Sequence, residues 1–217
     1  MTPPLNPCAM RSVAMEILEA TDDAVRRAAA IIRRGGVVIY PTETVYGLGC
    51  DPADADATRR VCDIKGRADK PMPLACVDVE AAQRIVSFNP AAEKVAARFW
   101  PGPLMLVLPA VVEYPVWVTQ GASALGVRVP DHDVARRLAG LSGGVIVSTS
   151  ANRSGKSPPA TAREAADEIG GEVDLILDGG ASPLTQPSTV LDLSGRSPRV
   201  MRVGPITEEQ LWAALSA

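Results

Sequence analysis

Short apolar runs alternate along the chain with longer segments whose apolar positions recur every three or four residues. The short runs predict buried β-strands and the longer segments predict amphipathic α-helices. The predicted strands read VVIY, LACV, LMLVLP, GVRVP, VIVST, DLILDGG, STVLDL and RVMRVG. The predicted helices lie at 24–34, 55–67, 79–85, 91–99, 134–141, 162–169 and 208–215. This alternation predicts a layered α/β domain with one twisted, mixed β-sheet flanked by helices.

The ends of these elements carry recognisable signals. Thr21 stands where an N-cap is expected, and Gly35 and Gly36 follow the first helical run as a stop. The stretch PTETVYGLGCDP breaks the periodic pattern and predicts a turn region. Residues 1–14 hold three prolines and no periodicity, so we expect a loose N-terminal arm there and one domain at 15–217.

Charge and hydropathy narrow the class of protein. The chain has 217 residues, with 22 basic and 25 acidic side chains, which argues against coating nucleic acid by bulk charge. Any RNA contact must therefore be local and weak. No apolar run is long enough for a membrane span, and the first residues lack the apolar core of a signal peptide. We expect a cytoplasmic protein with no membrane contact.

Residue types that commonly carry catalysis are scarce. The cysteines, which form no C-x-x-C pair and are interpreted as reduced structural thiols, are Cys8, Cys50, Cys62 and Cys76. His132 is the single histidine of the sequence, so most metal triads and Ser-His-Asp mechanisms are excluded or depend on it. Asp131 is predicted to cap the helix that follows, which would leave His132 on the surface at the helix start. The composition favours catalysis by positioning and charge.

The segment Ser150 to Ser157 is one residue short of a phosphate-binding P-loop. The pattern needs a glycine where Ser150 stands, and a helix directly after Gly-Lys-Ser. Pro158 and Pro159 occupy the start of that helix, and each proline lacks a backbone N–H for a phosphate. A standard P-loop is therefore excluded, although the hydroxyls and the lysine of this loop can still bind an anion.

Three further features suit small anionic and polar ligands. KGRADKPMPL is a short cationic segment that could bind an anion. The alternative interpretation is a solvated helix end. Lysine occurs only twice elsewhere in the sequence. PTETVYGLG combines hydroxyls with turn glycines, as expected for binding an amino acid. GVRVP places Arg128 inside an apolar strand, where the guanidinium needs a carboxylate or phosphate ligand, or an internal salt bridge.

Seven motifs in register carry a family resemblance over nearly the whole chain. They read YPTETVYGLGCDP, KGR with KPMPL, WPGPL, GVRVPDH, STSANRSG, PSTVLDL and MRVGPIT. In this order they resemble the YrdC-like threonylcarbamoyl-AMP synthases, and the length resembles the short, single-domain form. The resemblance implies a YrdC/RibB-like fold and a nucleotidyltransferase that joins L-threonine, bicarbonate and ATP, with Mg²⁺, into L-threonylcarbamoyladenylate and pyrophosphate. It also implies a tRNA threonylcarbamoyl transferase as partner.

The same resemblance implies roles for individual residues. The L-threonine set would be Thr44, Arg128, Ser148 and Ser188. The ATP set would be Lys65, Arg67, Ser150, Asn152 and Arg202, with Lys65 and Arg67 as catalytic residues. No protein metal site is implied, because the Mg²⁺ ion would be held mainly by the nucleotide phosphates.

The chain departs from the family pattern at a few positions. Ala68 replaces a common proline, Met105 replaces a threonine of PGPLT and so lacks a hydroxyl near the site, and Cys76 stands where the family often has a histidine. Two other functions stay open at this point. One is a carbamoyl-adenylate enzyme of the hydrogenase-maturation type, which uses carbamoyl phosphate, and the other is a non-catalytic RNA-binding module, which the acidic charge balance disfavours.

Overall fold

The structure, a computed structural model, describes residues 15–66 and 69–216. The arm predicted at 1–14 and the predicted site residue Arg67 lie outside the described residues. The strands are β1 (Ile17–Glu19), β2 (Val38–Tyr40), β3 (Gly47–Gly49), β4 (Leu74–Cys76), β5 (Leu104–Pro109), β6 (Ala124–Arg128), β7 (Val145–Val147), β8 (Thr149–Ser150), β9 (Leu175–Asp178), β10 (Thr189–Asp192) and β11 (Arg199–Arg202). The helices are α1 (Asp22–Ile32), α2 (Ala55–Lys65), α3 (Val79–Gln83), α4 (Pro90–Phe99), α5 (Val116–Thr119), α6 (Asp133–Leu141), α7 (Ala162–Ile169) and α8 (Glu208–Ser216).

The predicted α/β class is confirmed, but the strands form two mixed sheets where the sequence predicted one. A five-stranded sheet has the order β1-β9-β2-β3-β8, and a six-stranded sheet has the order β11-β10-β5-β6-β4-β7. The predicted strand VIVST is divided between them: β7 pairs with β4 of the larger sheet, and β8 pairs with β3 of the smaller one. Ser148 stands between β7 and β8, so the chain changes sheets at this serine.

Strand β2 is buried on both faces, which explains its continuous apolar sequence. Val38 and Tyr40 pack in one apolar cluster with α1 and α6, while Ile39 packs in a second, larger cluster. Successive side chains of a strand leave opposite faces, so each face supplies a separate core. In the part of the chain that is described, none of the helices combines the length and apolarity needed to cross a bilayer.

Two helix starts show how local signals succeed and fail. Thr21 caps α1 as predicted, and its Oγ1 accepts a hydrogen bond of 3.3 Å from the backbone N–H of Ala24. The cap predicted for Asp131 is wrong: His132 occupies the N-cap of α6 and makes no side-chain cap bond. His132 lies at the helix start as predicted, and it is half-buried there.

The strand β3 was not predicted, because Gly-Leu-Gly looks like a turn. Its glycines leave room for the ring of Tyr40 on the antiparallel neighbour β2. A β-carbon on Gly47 would lie 2.8 Å from Cζ of Tyr40, and one on Gly49 would lie 2.8 Å from its Cε1. The aromatic ring thus covers both glycines and fixes the path of this strand.

We predict that Gly49→Ala destabilises the protein. The added methyl group would meet both the Tyr40 ring and, at 3.0 Å, the carbonyl oxygen of Val147, and the backbone oxygen cannot rotate away. Overpacking of this kind lowers the free energy of unfolding by about 1–3 kcal/mol. Urea unfolding measures the change. Gly195→Ala is the control, since a β-carbon there meets nothing within 4 Å. Equal stability of the two variants would contradict the packing described for Tyr40.

Candidate active site

The candidate site lies where the two sheets meet. The loop 41–46, which contains the PTET sequence and is called the PTET loop below, connects β2 to β3 of the smaller sheet. Arg128 ends β6 of the larger sheet, Ser188 directly precedes β10 and Arg202 ends β11. Ser148 lies at the point where the chain passes between the sheets. Polar side chains from both sheets therefore gather in one region.

Arg128 is buried and holds the PTET loop directly. The residue is 5% exposed. Its Nη1 donates to Oε1 of Glu43 over 3.1 Å and to Oγ1 of Thr44 over 3.0 Å. Glu43 is 6% exposed, so this is a buried ion pair. Of the two partners predicted for this arginine, a ligand or an internal salt bridge, the protein supplies the salt bridge. Among the described contacts, Nε and Nη2 of Arg128 donate to no protein group.

The PTET loop is ordered by its own hydroxyls. Thr42 donates through Oγ1 to the carbonyl oxygen of Val45 over 2.6 Å, so its oxygen accepts the proton of Thr44, 2.9 Å away. Thr44 in turn accepts from Arg128, which makes a continuous chain of donors and acceptors. Ser182 also ties the loop to the β9–β10 connection, since its Oγ donates to the carbonyl oxygen of Thr42 over 2.9 Å. The loop is therefore held in place by hydrogen bonds within the protein.

Tyr40 orients Ser148 through a hydrogen bond between their hydroxyl groups. The fully buried phenol donates to Oγ of Ser148 over 2.8 Å, and burial raises the pKa of Tyr40 to about 12. The nearby charge of Arg128 opposes this rise in pKa, so the Tyr40–Ser148 pair lies in the field of the Arg128 guanidinium. Because the Ser148 oxygen already accepts a hydrogen bond, its own proton is available to a ligand.

A second arginine lies on the same side of the site. Arg202 donates through Nε to the carbonyl oxygen of Ser188 over 2.9 Å, and Ser188 is buried. Burial lowers the pKa of Arg202 from its usual value, and the charge of Arg128 lowers it further. Two guanidinium groups thus face one region in which Glu43 supplies a single negative charge. The arrangement favours an anionic ligand.

Lys65, Ser150 and Asn152, three of the predicted nucleotide residues, come together around one ammonium group. Lys65 ends α2 and is 5% exposed. Its Nζ donates to the carbonyl oxygen of Ser150 over 2.6 Å, and lies 3.4 Å from both Oγ of Ser150 and Oδ1 of Asn152. The ammonium is therefore held in place by the loop that follows β8.

A surface cavity of about 440 Å³ opens beside this ammonium. Its lining residues are Lys65, Asp69, Lys70, Ser150, Asn152, Ser154, Gly155, Lys156 and Pro158. Three of the four lysines of the sequence line this one cavity, whereas Lys94 is exposed on α4. Their grouping is consistent with the use of lysine where a compact cation is needed.

The loop at 150–157 is not a P-loop, as predicted. No helix follows Ser157, and the next one begins at Ala162 after an N-cap at Thr161. The loop is held instead by Asn152, whose Nδ2 donates to the carbonyl oxygens of Arg153 and Lys156 over 2.9 and 2.7 Å. Its shape comes from this amide, from Lys65 and from a turn at Gly155, whose φ is 86° and across which the N–H of Lys156 donates to the carbonyl oxygen of Arg153 over 3.1 Å.

Ser148 and Ser150 link the two halves of the site. They stand two residues apart on an extended segment, and both are partly exposed while Thr149 between them is buried. Alternate side chains of an extended segment leave on the same face, about 7 Å apart. One serine is bound to Tyr40 beside Arg128, and the other contacts Lys65 beside the cavity. The separation of the two serines is suited to two ligand groups that touch each other, a small molecule at Ser148 and a phosphate at Ser150.

Sequence reasoning missed two residues of this region, Glu43 and Tyr40. The need of Arg128 for a partner could have pointed to Glu43, which is the carboxylate of the PTET loop. Cys50, Cys62 and Cys76 are buried, and burial raises the pKa of Cys76 to about 12, in line with the structural role predicted for them, whereas Cys8 lies outside the described residues. Within residues 15–66 and 69–216, no three His, Cys, Asp or Glu side chains are grouped so that they could hold a metal ion.

Comparison with known proteins supports the resemblance drawn from the motifs. The threonylcarbamoyl-AMP synthase of Pyrococcus abyssi is 40% identical over 189 residues, which are 86% of this chain and 56% of that protein. The threonylcarbamoyl-AMP synthase of Halorhodospira halophila is 43% identical over 182 residues, which are 82% of this chain and 93% of that protein. The chain thus spans little more than half of the Pyrococcus relative.

A solved structure and a family model agree with these relatives. The crystal structure of P. abyssi Sua5 complexed with L-threonine matches with a TM-score of 0.86 at 38% identity, and covers 92% of this chain and 59% of that one. The family model for Sua5, YciO and YrdC, described as telomere recombination, matches residues 30–204. This match covers most of the sequence and includes every motif from PTET to MRVG. The chain therefore belongs to the Sua5/YciO/YrdC family.

Proposed function

We propose that the protein is an L-threonylcarbamoyladenylate synthase. It would join L-threonine, bicarbonate and ATP and release pyrophosphate, as a nucleotidyltransferase. The observation that carries this proposal is the spacing of Ser148 and Ser150, which sets an amino-acid pocket and a lysine-lined cavity side by side on one segment. The names of the relatives at about 40% identity support the same activity.

In the amino-acid pocket, Arg128 would bind the threonine carboxylate through Nε and Nη2, since Nη1 is occupied by Glu43 and Thr44. A guanidinium matches a carboxylate with two parallel hydrogen bonds. Ser148 would donate to a substrate oxygen, because Tyr40 already fills one acceptor position of its hydroxyl. Thr44 would contribute its remaining acceptor position, and Ser188 would close the pocket from the side of Arg202.

In the adjacent cavity, Lys65, Ser150 and Asn152 would hold the triphosphate, and Arg202 would contact the nucleotide from the other side. Arg67 follows directly on the Lys65–Gly66 turn in sequence and would add a second cation. Mg²⁺ fits as an ion carried by the nucleotide: Asp69 lines the cavity, and Mg²⁺ is commonly held by one or two carboxylates plus phosphates. When bound, the ion would neutralise charge on the phosphates.

The chemistry needs positioned reactants more than an acid or a base. Threonine and bicarbonate would give the N-carboxylate with loss of water, and an oxygen of that carbamate would attack the α-phosphorus of ATP. The bond from this phosphorus to the bridging oxygen breaks, and pyrophosphate leaves with the electron pair. In-line placement and cations over the spreading negative charge supply the acceleration. The arginines and lysines of the site are suited to this task.

The product is a mixed anhydride that a second enzyme has to consume. We propose a tRNA threonylcarbamoyl transferase as that partner, and the cytoplasm, where tRNA is modified, as the place of action. RNA binding by this chain itself would be weak, given the slight excess of acidic residues. A carbamoyl-adenylate enzyme of the hydrogenase-maturation type is the second candidate, and it differs by accepting carbamoyl phosphate.

The proposed function is tested by following pyrophosphate release from ATP and Mg²⁺ while substrates are left out one at a time. We expect release that requires both L-threonine and bicarbonate, and a product with the mass of threonylcarbamoyl-AMP. Carbamoyl phosphate should not replace the pair. Release with carbamoyl phosphate alone would favour the hydrogenase-maturation activity, and no release with any substrate would favour the RNA-binding module.

Replacement of Lys65 should impair the nucleotide half of the reaction while the fold is kept. Lys65→Met keeps the aliphatic stem but removes a charge-assisted phosphate contact, which is worth about 1.5–3 kcal/mol. We expect kcat/KM for ATP to fall at least about tenfold, and the far-UV circular dichroism spectrum shows whether the variant is folded. Lys94→Met, on the exposed face of α4, is the matched control. Full activity of Lys65→Met would exclude Lys65 from the nucleotide site.

The amino-acid pocket should rank substrates by their hydroxyl and by their shape. Serine keeps the hydroxyl of threonine and lacks one methyl group, which an enclosed pocket discriminates by about 1–3 kcal/mol, or roughly 10- to 200-fold. Valine keeps the shape but leaves the pocket hydroxyls unpaired, so it should react least. Pyrophosphate release with each amino acid measures kcat/KM. Equal rates for valine and threonine would mean that Thr44, Ser148 and Ser188 do not form the pocket.

A further inference from the structure

In the buried ion pair between Arg128 and Glu43, one carboxylate oxygen has no hydrogen-bond partner within the described part of the chain. Among the described residues, the buried side-chain polar atoms without a hydrogen-bond partner are Oε2 of Glu43, Nδ1 of His132 and Oγ of Ser142. Glu43 binds Arg128 through its other oxygen, Oε1. A carboxylate oxygen that is buried and unpaired is costly, so a second partner for Glu43 is expected in at least one state of the protein.

His132 lies next to the loop that carries Glu43. Gly179 lies between His132 and Pro41, the first residue of that loop: a β-carbon at this glycine would be 2.7 Å from Cγ of Pro41 and 3.8 Å from Cε1 of His132. Burial lowers the pKa of His132, and the largest opposing influence on that pKa is the charge of Glu43. The charge of Glu43 thus acts on the imidazole, and neither Oε2 of Glu43 nor Nδ1 of His132 has a hydrogen-bond partner in the residues that the structure describes.

The chemistry of the two unpaired atoms is complementary. A neutral imidazole with its proton on Nδ1 is a donor, and Oε2 of an ionised Glu43 is an acceptor. The other charged groups that act on His132 are Asp131, Asp133 and Arg136, all at the start of α6. A hydrogen bond between Nδ1 of His132 and Oε2 of Glu43 would satisfy both unpaired atoms at once. Hydrogen bonds of this kind are often long without substrate and tighten in the complex.

We propose that His132 is a positioning residue of the amino-acid pocket, which acts by donating from Nδ1 to Oε2 of Glu43 when substrate binds. This bond fixes Glu43 against Nη1 of Arg128 and so keeps Nε and Nη2 of the guanidinium directed to the substrate carboxylate. The inference rests on the proposed function, since it assigns Arg128 to the carboxylate. His132 acts through Glu43 and does not touch the reacting atoms.

The test compares His132→Leu with His132→Asn. Leucine removes the donor, whereas asparagine keeps an N–H near the position of Nδ1 and is also a favourable N-cap for α6. For His132→Leu we expect KM for threonine to rise about tenfold or more, as for loss of a hydrogen bond to a charged group, with KM for ATP unchanged. For His132→Asn we expect KM for threonine within about threefold of the wild type.

Ser142→Ala is the matched control, because it removes the third unpaired buried atom, at the far end of α6 from His132. We expect both KM values of this variant to match those of the wild type. A double-mutant cycle with Glu43→Gln adds a second readout: if His132 acts through Glu43, His132→Leu should raise KM for threonine much less in the Glu43→Gln background than in the wild type.

Three results would overturn the inference: an unchanged KM for threonine in His132→Leu, an equal rise for threonine and ATP, or additive effects in the cycle. The same holds if His132→Asn behaves like His132→Leu in a protein that stays folded. These outcomes leave the proposed function intact as long as the wild type releases pyrophosphate with threonine and bicarbonate. A wild-type chain that neither does so nor binds threonine in calorimetry would overturn both.

Discussion

The buried guanidinium of Arg128 is the constraint on which the candidate site depends. A cation that is 5% exposed must be paired, and Glu43 of the PTET loop provides the charge. Buried ion pairs contribute little net stability because both ions lose their hydration, so such a pair is better explained by function than by folding. The charge of Arg128 also lowers the pKa of Arg202, so a second guanidinium acts on the same region, which favours an anionic ligand.

The crossing between the two sheets converts this pocket into a site for two ligands. Ser148 belongs to the amino-acid side through Tyr40, and Ser150 belongs to the cavity side through Lys65. Because both serines lie on one extended segment, their separation is set by backbone geometry and does not depend on flexible side chains. A reaction that relies on proximity and charge benefits from such a fixed separation. Gly47 and Gly49 contribute indirectly, because they give the Tyr40 ring its place.

Much of the fold could be predicted, because buried strands such as Val38–Tyr40 are apolar on both faces and end at proline or glycine. The pattern could not show that VIVST divides between two sheets, since strand pairing is set by contacts distant in sequence. Gly47–Gly49 was missed because a glycine strand has no apolar alternation, and only the ring packed on it explains it. The start of α6 was misplaced by one residue because Asp131 is the better N-cap by residue type, whereas His132 occupies that position without a side-chain cap bond.

The candidate site, like the fold, could be predicted only in part. The hydroxyls, the amide and the lysine grouped by motif do meet in space, as with Lys65, Ser150 and Asn152. The partner of Arg128 could not be read from its own strand, because Glu43 is 85 residues away in sequence. Such pairs depend on the topology of the sheets.

The most direct test of this account is a crystal structure of the protein with L-threonine and a non-hydrolysable ATP analogue. The account predicts the threonine carboxylate on Nε and Nη2 of Arg128, the triphosphate against Lys65 and Ser150, and the threonine nitrogen facing the α-phosphate across the Ser148–Ser150 segment. A carboxylate bound away from Arg128, or a triphosphate outside the lysine-lined cavity, would contradict it.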